Sequence, residues 1–318
     1  MPLQTLGTIA GMILGGVFVF AGFAKIIDPV RFIELIESKD LAMGMPPAVV
    51  AYAGIALEML LGTALLLGVR RLPILLGSLA LTIFFVVLSS MAYADHVSGA
   101  ADADESCGCF GALLERTPGE ALGFDIGFLV LALLTFLGRP RGDTPWPKAR
   151  LGLTLLVTAL SLGVTAMAPD IEAFDGLATK LDIGAKLDDI CAGSDEDKVC
   201  LSDMVPDWET ITWLVFITDP MDATHDAAIN RYYDWHYELE DPDSAPELFW
   251  LHRPVTEAEK TEFDFPTDGR VRPKCEKQDV PAHFLRGLYR RLPRGFLVRD
   301  GKIVEVWNGL PPFDRWMK

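Results

Sequence analysis

Five apolar stretches of roughly twenty residues recur within the first 168 residues of the chain and then stop. Each approaches the length that a helix needs to cross about 30 Å of hydrocarbon. They span about Leu6–Ile27, Ala48–Val69, Leu72–Ala94, Ala121–Leu137 and Leu151–Ala168. The first stretch has no basic segment before it and no small-residue cleavage site after it, which favours a retained helix over a signal peptide. The pattern therefore predicts a polytopic protein embedded in a lipid bilayer.

Charge divides the chain at the same point. Residues 1–168 carry 13 acidic and 10 basic side chains, whereas residues 169–318 carry 31 and 18. A second half with this much negative charge is expected to repel nucleic acid. We therefore exclude nucleic acid as a partner. Four parts are predicted: a four-helix membrane domain in 1–140, a fifth transmembrane helix in 141–168, a linker with the Cys191 and Cys200 segment in 169–205, and a soluble domain in 206–318.

Basic residues in the short loops indicate orientation, because cytoplasmic loops are enriched in Lys and Arg. Two such loops carry them: Arg70 and Arg71 in one, and Arg139, Arg141, Lys148 and Arg150 in the other. The N-terminus is then cytoplasmic, and the acidic loop from Asp95 to Glu120 faces outward with everything after Ala168. We expect a multi-pass protein of the inner membrane with a periplasmic C-terminal domain, in a compartment where cysteines can pair.

Patterns in the second half favour a small α/β domain. Strand, helix and strand patterns follow one another in Thr210–Ile217, Ala223–Leu239 and Leu248–His252. Residues 253–280 are rich in proline and charge and are expected to be mostly loop. Near the end, Phe296–Arg299 and Lys302–Val306 flank Asp300-Gly301, a strong hairpin signal.

Cys107-Gly108-Cys109 is the motif with the most chemical content in the outward loop. Cysteines two apart can form a disulfide, and the intervening glycine eases the tight ring. A ring this small is expected to be strained, which raises its reduction potential, the property of a donor or relay disulfide. Cys107 and Cys109 are thus candidate catalytic residues. A static staple or two unpaired thiols remain the alternative, and zinc is disfavoured because no second CxxC or His pair lies nearby in sequence.

Polar residues near the helix ends form a second candidate site. They are Lys25, Asp28, Glu58, His96 and Asp125. Ionisable groups at membrane depth are costly and are therefore functional candidates. Glu58 lies near the middle of the second helix and needs a partner, which Lys25 could supply. A proton-handling cluster and a structural ion pair stay equally open, and His96 fits an interface histidine better than a metal ligand.

Three further cysteines lie in the second half. Cys191 and Cys200 enclose a short polar turn and predict a structural disulfide, with a second exchanging dithiol as the alternative. The acids Asp195, Glu196 and Asp197 in that turn lack the alternating spacing of a calcium loop, and no metal site is expected. Cys275 is flanked by basic residues that would lower its pKa if it were exposed, although a buried free thiol is equally common.

Residues 5–138 resemble the MauE/DoxX family of redox-associated membrane proteins. Three elements carry the resemblance: the segment Phe20–Phe32 with its Ala24-Lys25-Ile26-Ile27-Asp28-Pro29 core, Glu58 within Gly54–Gly68, and the Cys-Gly-Cys-Phe-Gly loop. The resemblance implies a four-helix bundle that helps to make disulfides in exported proteins beside a thioredoxin-like partner, with quinone as a candidate cofactor. The fifth helix would then be an addition that tethers the outer domain.

The C-terminal part resembles a thioredoxin fold. Leu292–Val304 is similar to that fold's cis-proline strand and closing hairpin, and Trp213–Phe216 to the strand that delivers its active-site cysteines. Where that family carries Cys-x-x-Cys, this chain has Met221-Asp222-Ala223-Thr224. Ordinary thioredoxin exchange at that position is therefore excluded. The surface around Met221, Thr224 and Pro293 is expected to bind a client or partner.

Two hypotheses of different classes follow from these patterns. In the first, the chain is a thiol-disulfide oxidoreductase, a membrane relay that supports disulfide formation in an exported client protein. In the second, it is a non-catalytic docking subunit of a membrane complex, whose thioredoxin-like domain is redox-inactive. The intact Cys-Gly-Cys motif favours the first and the missing Cys-x-x-Cys favours the second, so whether the chain is an enzyme stays open.

Overall fold

The computed structural model describes residues 3–98, 116–140, 148–192, 198–241, 244–266 and 271–317. The predicted redox pair Cys107 and Cys109 lies outside these residues, as do Asp195, Glu196 and Asp197. The chain divides into two compact units, Met1–Leu177 and Ala178–Lys318. The first is helical and the second contains a mixed β-sheet, so the predicted fold class is confirmed.

Helices make up the first unit. They are α1 (Leu3–Ile27), α2 (Pro29–Ser38), α3 (Pro47–Leu66), α4 (Leu72–Ser98), α5 (Pro118–Leu137) and α6 (Lys148–Met167), and the short α7 (Asp175–Ala178) ends at the boundary of the unit. Within the described residues, five of these segments are long and apolar enough to cross a membrane: α1, α3, α4, α5 and a span beginning with α6. The predicted multi-pass membrane protein is thereby confirmed.

Helix α2 was not expected from the sequence, because ten residues are too few to register as an apolar span. Its start is nevertheless encoded locally. Pro29 occupies the first turn, and the carboxylate of Asp28 accepts a hydrogen bond from the backbone N–H of Arg31 at 3.1 Å. Ile36 on this helix packs in a cluster with Ala51 of α3. The segment after α1 is thus a short helix that is packed against the bundle.

Glycine lets α1 and α3 approach closely. A Cβ atom added at Gly15 would lie 2.8 Å from the carbonyl oxygen of Gly62, and one added at Gly62 would lie 2.9 Å from the carbonyl oxygen of Gly15. Both distances are too short for a side chain, so each helix occupies the space that a side chain would need. Gly16, one position further along α1, has open space around it. The close approach of α1 and α3 therefore requires glycine at position 15 but not at position 16.

The second unit has two sheets. A two-stranded hairpin joins β1 (Cys191–Ala192) to β2 (Val199–Cys200). The main sheet has the order β5-β4-β3-β6-β7. Its strands are β3 (Trp213–Ile217), β4 (Glu247–His252), β5 (Glu276–Asp279), β6 (Arg294–Arg299) and β7 (Lys302–Trp307). Strands β3, β4 and β5 are parallel, and β6 and β7 are antiparallel to their neighbours, an arrangement that is thioredoxin-like.

Strand β3 lies at the centre of this sheet and all five of its residues are buried. Alternate side chains enter two separate cores: Trp213, Val215 and Ile217 enter one, and Leu214 and Phe216 enter the other. An unbroken apolar run is what a strand covered on both faces requires. Leu181, Leu187, Ile190 and Leu201, from before the sheet, pack into the first core.

The hairpin from β6 to β7 turns at Asp300 and Gly301, which have positive φ values of 50° and 72°. Gly301 is required for a second reason, since a Cβ atom there would lie 2.6 Å from the ring of Trp208. The Leu292–Pro293 peptide bond directly before β6 is cis. The predicted hairpin and its preceding proline therefore have the expected geometry.

The segment over residues 253–280 was expected to be mostly loop, and two regular elements occupy part of it. It contains α9 (Glu257–Asp264) and β5, and the domain's other helices are α8 (Asp226–Tyr237) and α10 (Ala282–Arg286). Helix α9 begins with a capping box in which Thr256 and Glu259 exchange hydrogen bonds. Every residue of β5 is exposed and most are charged, so its sequence lacks the alternation that signals a strand.

Candidate functional site

An ion pair lies buried in the helical unit. Lys25, in the last turn of α1, places its Nζ atom 2.6 Å from Oε1 of Glu58 near the middle of α3. The two side chains are 1% and 3% exposed. Two desolvated charges are tolerated in such surroundings because each neutralises the other, and removal of either leaves an uncompensated charge. The structure thus brings together two of the predicted polar residues.

Asp125 of α5 belongs to the same neighbourhood. Its side chain is buried, hydrogen-bonded by Ser89 of α4, and influenced by the positive charges of Lys25 and Arg116. Its Oδ2 atom has no hydrogen-bond partner among the described residues, and the same holds for Oε2 of Glu58. A buried carboxylate oxygen without a partner is costly, so both atoms have unused capacity for a proton or a water molecule.

Aromatic rings complete the surroundings of the lysine. The Nζ atom of Lys25 lies 5.1 Å from the ring centre of Phe32 and 5.5 Å from that of Phe85. Both distances suit an attraction between a cation and a ring face. The ammonium group is therefore held by a carboxylate and by aromatic faces, in a place that water does not freely enter.

A small cavity adjoins this cluster between α1, α4 and α5. Its size is that of about one water molecule. Asp125 and Thr82 are its polar lining residues, and the rest of the lining is apolar: Val17, Phe18, Ala21, Phe85 and Phe128. Phe85 therefore contacts both the cavity and the ammonium group of Lys25.

The other two predicted polar residues occupy different positions. Asp28 is buried and caps α2 through the N–H of Arg31. His96 lies exposed in the last turn of α4. Sequence reasoning missed Thr82 and Ser89, whose buried hydroxyl groups also donate to carbonyl groups of their own helix. Their spacing of seven residues places them on one face of α4, and buried polar residues at helical spacing were the signal available.

The cysteine loop is connected to this end of the bundle. Arg116 is the first described residue after it, and its guanidinium lies 4.2 Å from the ring centre of Phe124 on α5. Cys109 precedes Arg116 by seven residues, and a fully extended chain of that length spans about 25 Å at most. The geometry of Cys107 and Cys109 themselves lies outside the described residues.

In the thioredoxin-like domain, the segment Met221–Thr224 follows the central strand. The backbone N–H of Met221 donates to Asp219 at 2.7 Å, and that of Thr224 donates to Asp222 at 2.9 Å. Met221 packs against the core and Thr224 is exposed. Ile217 of β3 is paired with Arg294 of β6, so this segment and Pro293 leave the sheet at the same end.

Arg253 contacts Asp219, directly after β3 and before this segment, and sequence reasoning missed it. Its guanidinium binds both carboxylate oxygens of Glu259, at 2.7 and 2.8 Å, and contacts Asp219 at 3.4 Å. Hydrogen bonding to Arg253 lowers the pKa of Glu259 to about 2. Arg253 therefore connects the loop after β3 to α9 through charged hydrogen bonds.

The remaining cysteines have structural positions. Cys191 and Cys200 are paired across the β1–β2 hairpin as a disulfide, with Cα atoms 4.0 Å apart. Cys275 is buried and has no disulfide partner among the described residues. Burial raises the pKa of its thiol to about 12. Of the two alternatives for Cys275, the structure therefore shows the buried free thiol, in which desolvation outweighs the neighbouring basic residues.

These observations define a class: a multi-pass membrane protein with a buried polar cluster, joined to a thioredoxin-like domain that lacks that fold's usual cysteines. Residues 3–138 match the family described as "Methylamine utilisation protein MauE". The predicted MauE resemblance is thereby confirmed for the membrane region, whereas the DoxX part of it stays a prediction. No match was found among the curated proteins.

A solved structure is similar to part of the chain. It is a crystal structure assigned to a thiol:disulfide interchange protein DsbE from Chlorobium tepidum. The alignment has 16% identity and a TM-score of 0.30, and it covers 43% of this chain and 92% of that one. At these values we assign the thioredoxin-like fold from strand order and pairing alone. A MauE-like membrane region together with such a domain fits a redox-related membrane protein.

Proposed function

We propose that the chain is a membrane thiol-disulfide relay in which Cys107 and Cys109 exchange a disulfide with an exported client protein. The observation that carries the proposal is the buried cluster of Lys25, Glu58 and Asp125. Within it, Asp125 lies in the first half of α5 and feels the charge of Arg116, the first described residue after the cysteine loop. Thiol chemistry moves protons together with electrons, and this cluster supplies groups that exchange protons close to the loop.

The exchange step balances without another reactant. A client thiolate attacks one sulfur of the Cys107–Cys109 disulfide, the S–S bond breaks, and a mixed disulfide forms. The second client thiolate then displaces the relay cysteine, so the client is oxidised and the relay becomes a dithiol. Two electrons pass from client to relay, and the two protons that the client thiols release on forming thiolates are taken up by the relay thiolates. Return to the disulfide delivers both to an acceptor, and quinone, which becomes quinol, is the chemical class that we favour.

The thioredoxin-like domain binds the client in this proposal. Its binding surface is the end of the sheet where Met221, Thr224 and Pro293 lie. The client is an exported protein, the N-terminus of the chain is cytoplasmic, and the soluble domain is periplasmic in an inner-membrane protein. The absence of Cys-x-x-Cys at this end of the sheet is consistent with binding, because a client can be bound without thiols.

Alkylation trapping in cells tests the relay. Rapid acid quenching and labelling with a mass-tagged maleimide should find Cys107 and Cys109 in both oxidised and reduced forms. Replacement of either residue by Ser should abolish client oxidation. The control is Cys275→Ala, which removes a buried thiol and should leave the distribution unchanged. A Cys107–Cys109 pair that stays fully oxidised under every condition would contradict the proposal.

A docking role is the second candidate, favoured by Met221–Thr224 in the position of the usual cysteines. In that case the chain is a non-catalytic subunit that holds a membrane complex together. Native purification separates the two proposals. A stoichiometric complex whose activity survives combined replacement of Cys107 and Cys109 by Ser supports docking, whereas loss of that activity with the complex intact supports the relay.

A further inference from the structure

Two buried carboxylate oxygens of the helical unit lack hydrogen-bond partners among the described residues. They are Oε2 of Glu58 and Oδ2 of Asp125. Both residues are at least 97% buried, and their side chains belong to different helices, α3 and α5. A carboxylate that is ionised accepts up to four hydrogen bonds, so an oxygen with none is either protonated or bound to water.

The charges around these oxygens favour protonation. Among the residues that the structure describes, the buried ionisable groups of this region are one base, Lys25, and three acids, Asp28, Glu58 and Asp125. Glu58 is paired with Lys25, and the carboxylate of Asp28 caps a helix. Arg116 adds positive charge near Asp125 from a half-buried position. Asp125 therefore shares the positive charge of Lys25 with Glu58, and its Oδ2 atom is left without a hydrogen bond. An incompletely compensated charge at membrane depth is costly.

The cavity supplies the second requirement, space for a water molecule that can exchange a proton with Asp125. Asp125 and Thr82 line it, and it has room for about one water molecule. Ala21 lines the same cavity and lies one helical turn before Lys25 on α1. A water molecule there would contact the Asp125 carboxyl group and give the unpartnered oxygen its missing hydrogen bond. Phe85 lines the same cavity and contacts the ammonium group of Lys25, so the cavity adjoins the ion pair.

We propose that the cavity between α1, α4 and α5 is a buried proton-binding site in which a water molecule connects Asp125 to the Lys25–Glu58 pair. The bound species is a proton taken from water, with Asp125 changing between carboxylate and carboxyl. The use of this proton in thiol chemistry rests on the proposed relay. The existence of the site rests on the cavity and on the two unpartnered oxygens alone.

Infrared difference spectroscopy of the full-length protein in detergent micelles tests the site. Spectra taken at low against high pH should contain the C=O stretch of a buried carboxylic acid. The band should be lost in Asp125→Asn and kept in Glu37→Gln, which changes an exposed carboxylate of α2. A wild-type spectrum without such a band, or a band that persists in Asp125→Asn, would overturn the proposal.

Exchange into D₂O tests the water. Ala21→Leu fills the cavity and should slow the isotope shift of the Asp125 band. The matched control, Gly16→Leu, adds a similar side chain on α1 where a Cβ meets no atom within 4 Å, and it should leave the rate unchanged. Thr82→Val keeps the shape of the wall but removes its hydroxyl, and it should also slow exchange. Equal rates in wild type, Ala21→Leu and Thr82→Val would show that no water occupies the cavity.

The same spectra from a variant with Cys107→Ser and Cys109→Ser separate this inference from the relay. The Asp125 band should persist there, because the proton site does not need the thiols. Loss of the band in that variant would show that the proton site depends on the thiols, which would overturn the proposal. Failure of alkylation trapping to find both redox forms, with the band present, would remove the relay and leave the proton site standing.

Discussion

Lys25 and Glu58, 33 residues apart in sequence, are joined through Nζ and Oε1 at 2.6 Å in the interior of the helical bundle. The contact fixes the last turn of α1 against the middle of α3. Because neither charge is solvated, each depends on the other for its presence in the fold. This dependence has a measurable cost when one partner is removed.

Lys25→Met should destabilise the protein by about 3 to 5 kcal/mol, because Glu58 is left as an unpaired buried charge. Unfolding of the purified protein in mixed micelles, followed by circular dichroism, measures the effect. The double variant Lys25→Met with Glu58→Leu should recover most of the loss. Arg231→Gln breaks an exposed ion pair with Asp314 and should change stability by less than about 1 kcal/mol. Similar losses for Lys25→Met and Arg231→Gln would contradict a buried pair.

Gly62→Ala should destabilise the bundle, because the new methyl group would lie 2.9 Å from the carbonyl oxygen of Gly15 and force α1 and α3 apart. Overpacking of this kind costs about 1 to 3 kcal/mol. Gly16→Ala, with no atom within 4 Å of the added carbon, should be neutral or slightly stabilising. Thermal unfolding of the two variants side by side provides the comparison. Equal unfolding temperatures for the two variants would contradict the close approach of α1 and α3.

Folding stability should fall as the pH rises from about 9 toward about 12, and Cys275 should account for part of the slope. Burial raises the pKa of its thiol, so the unfolded chain ionises first and is favoured at high pH. The contribution is complete below about 9, the ordinary value, and is lost as the pH approaches about 12. The difference between wild type and Cys275→Ala isolates it, since other groups titrate in both. Parallel stability curves for the two proteins would contradict the raised pKa.

Loss of the Cys191–Cys200 disulfide should destabilise the soluble unit by roughly 2 to 3 kcal/mol, mainly through greater freedom of the unfolded chain. The variant with both residues changed to Ser should show this loss in urea unfolding monitored by tryptophan fluorescence. Reductant should reproduce it in wild type and have no effect on the variant. A disulfide that cycles in function would instead make the double variant inactive while stability stayed constant.

The elements with one dominant signal could be predicted from the sequence. Apolar length located the membrane helices, and the Asp300-Gly301 pair located the hairpin because few residues adopt the turn conformation that it requires. The elements that were missed have weaker local patterns. Helix α2 is short, α9 is signalled by a capping box alone, and β5 is a polar edge strand whose identity comes from its pairing with β4.

The candidate site likewise contains residues that could be predicted from the sequence and residues that could not. Lys25 and Glu58 could be matched from sequence because both are charged residues within apolar helices and few partners were available. The sequence left Cys275 open between an exposed and a buried thiol, since its burial depends on the packing of α8, β4 and the C-terminal residues. Thr82, Ser89 and Arg253 were missed because their roles arise from which helix or strand lies opposite them.

The position of β3 in the sheet has a consequence for synthesis of the protein. This strand is the first of the five to be translated, yet one of its two neighbours, β6, is translated fourth. Until then a wholly apolar strand has an open edge, the kind of surface that pairs with other chains. Chains interrupted before Arg294 are therefore expected to aggregate more readily than full-length chains.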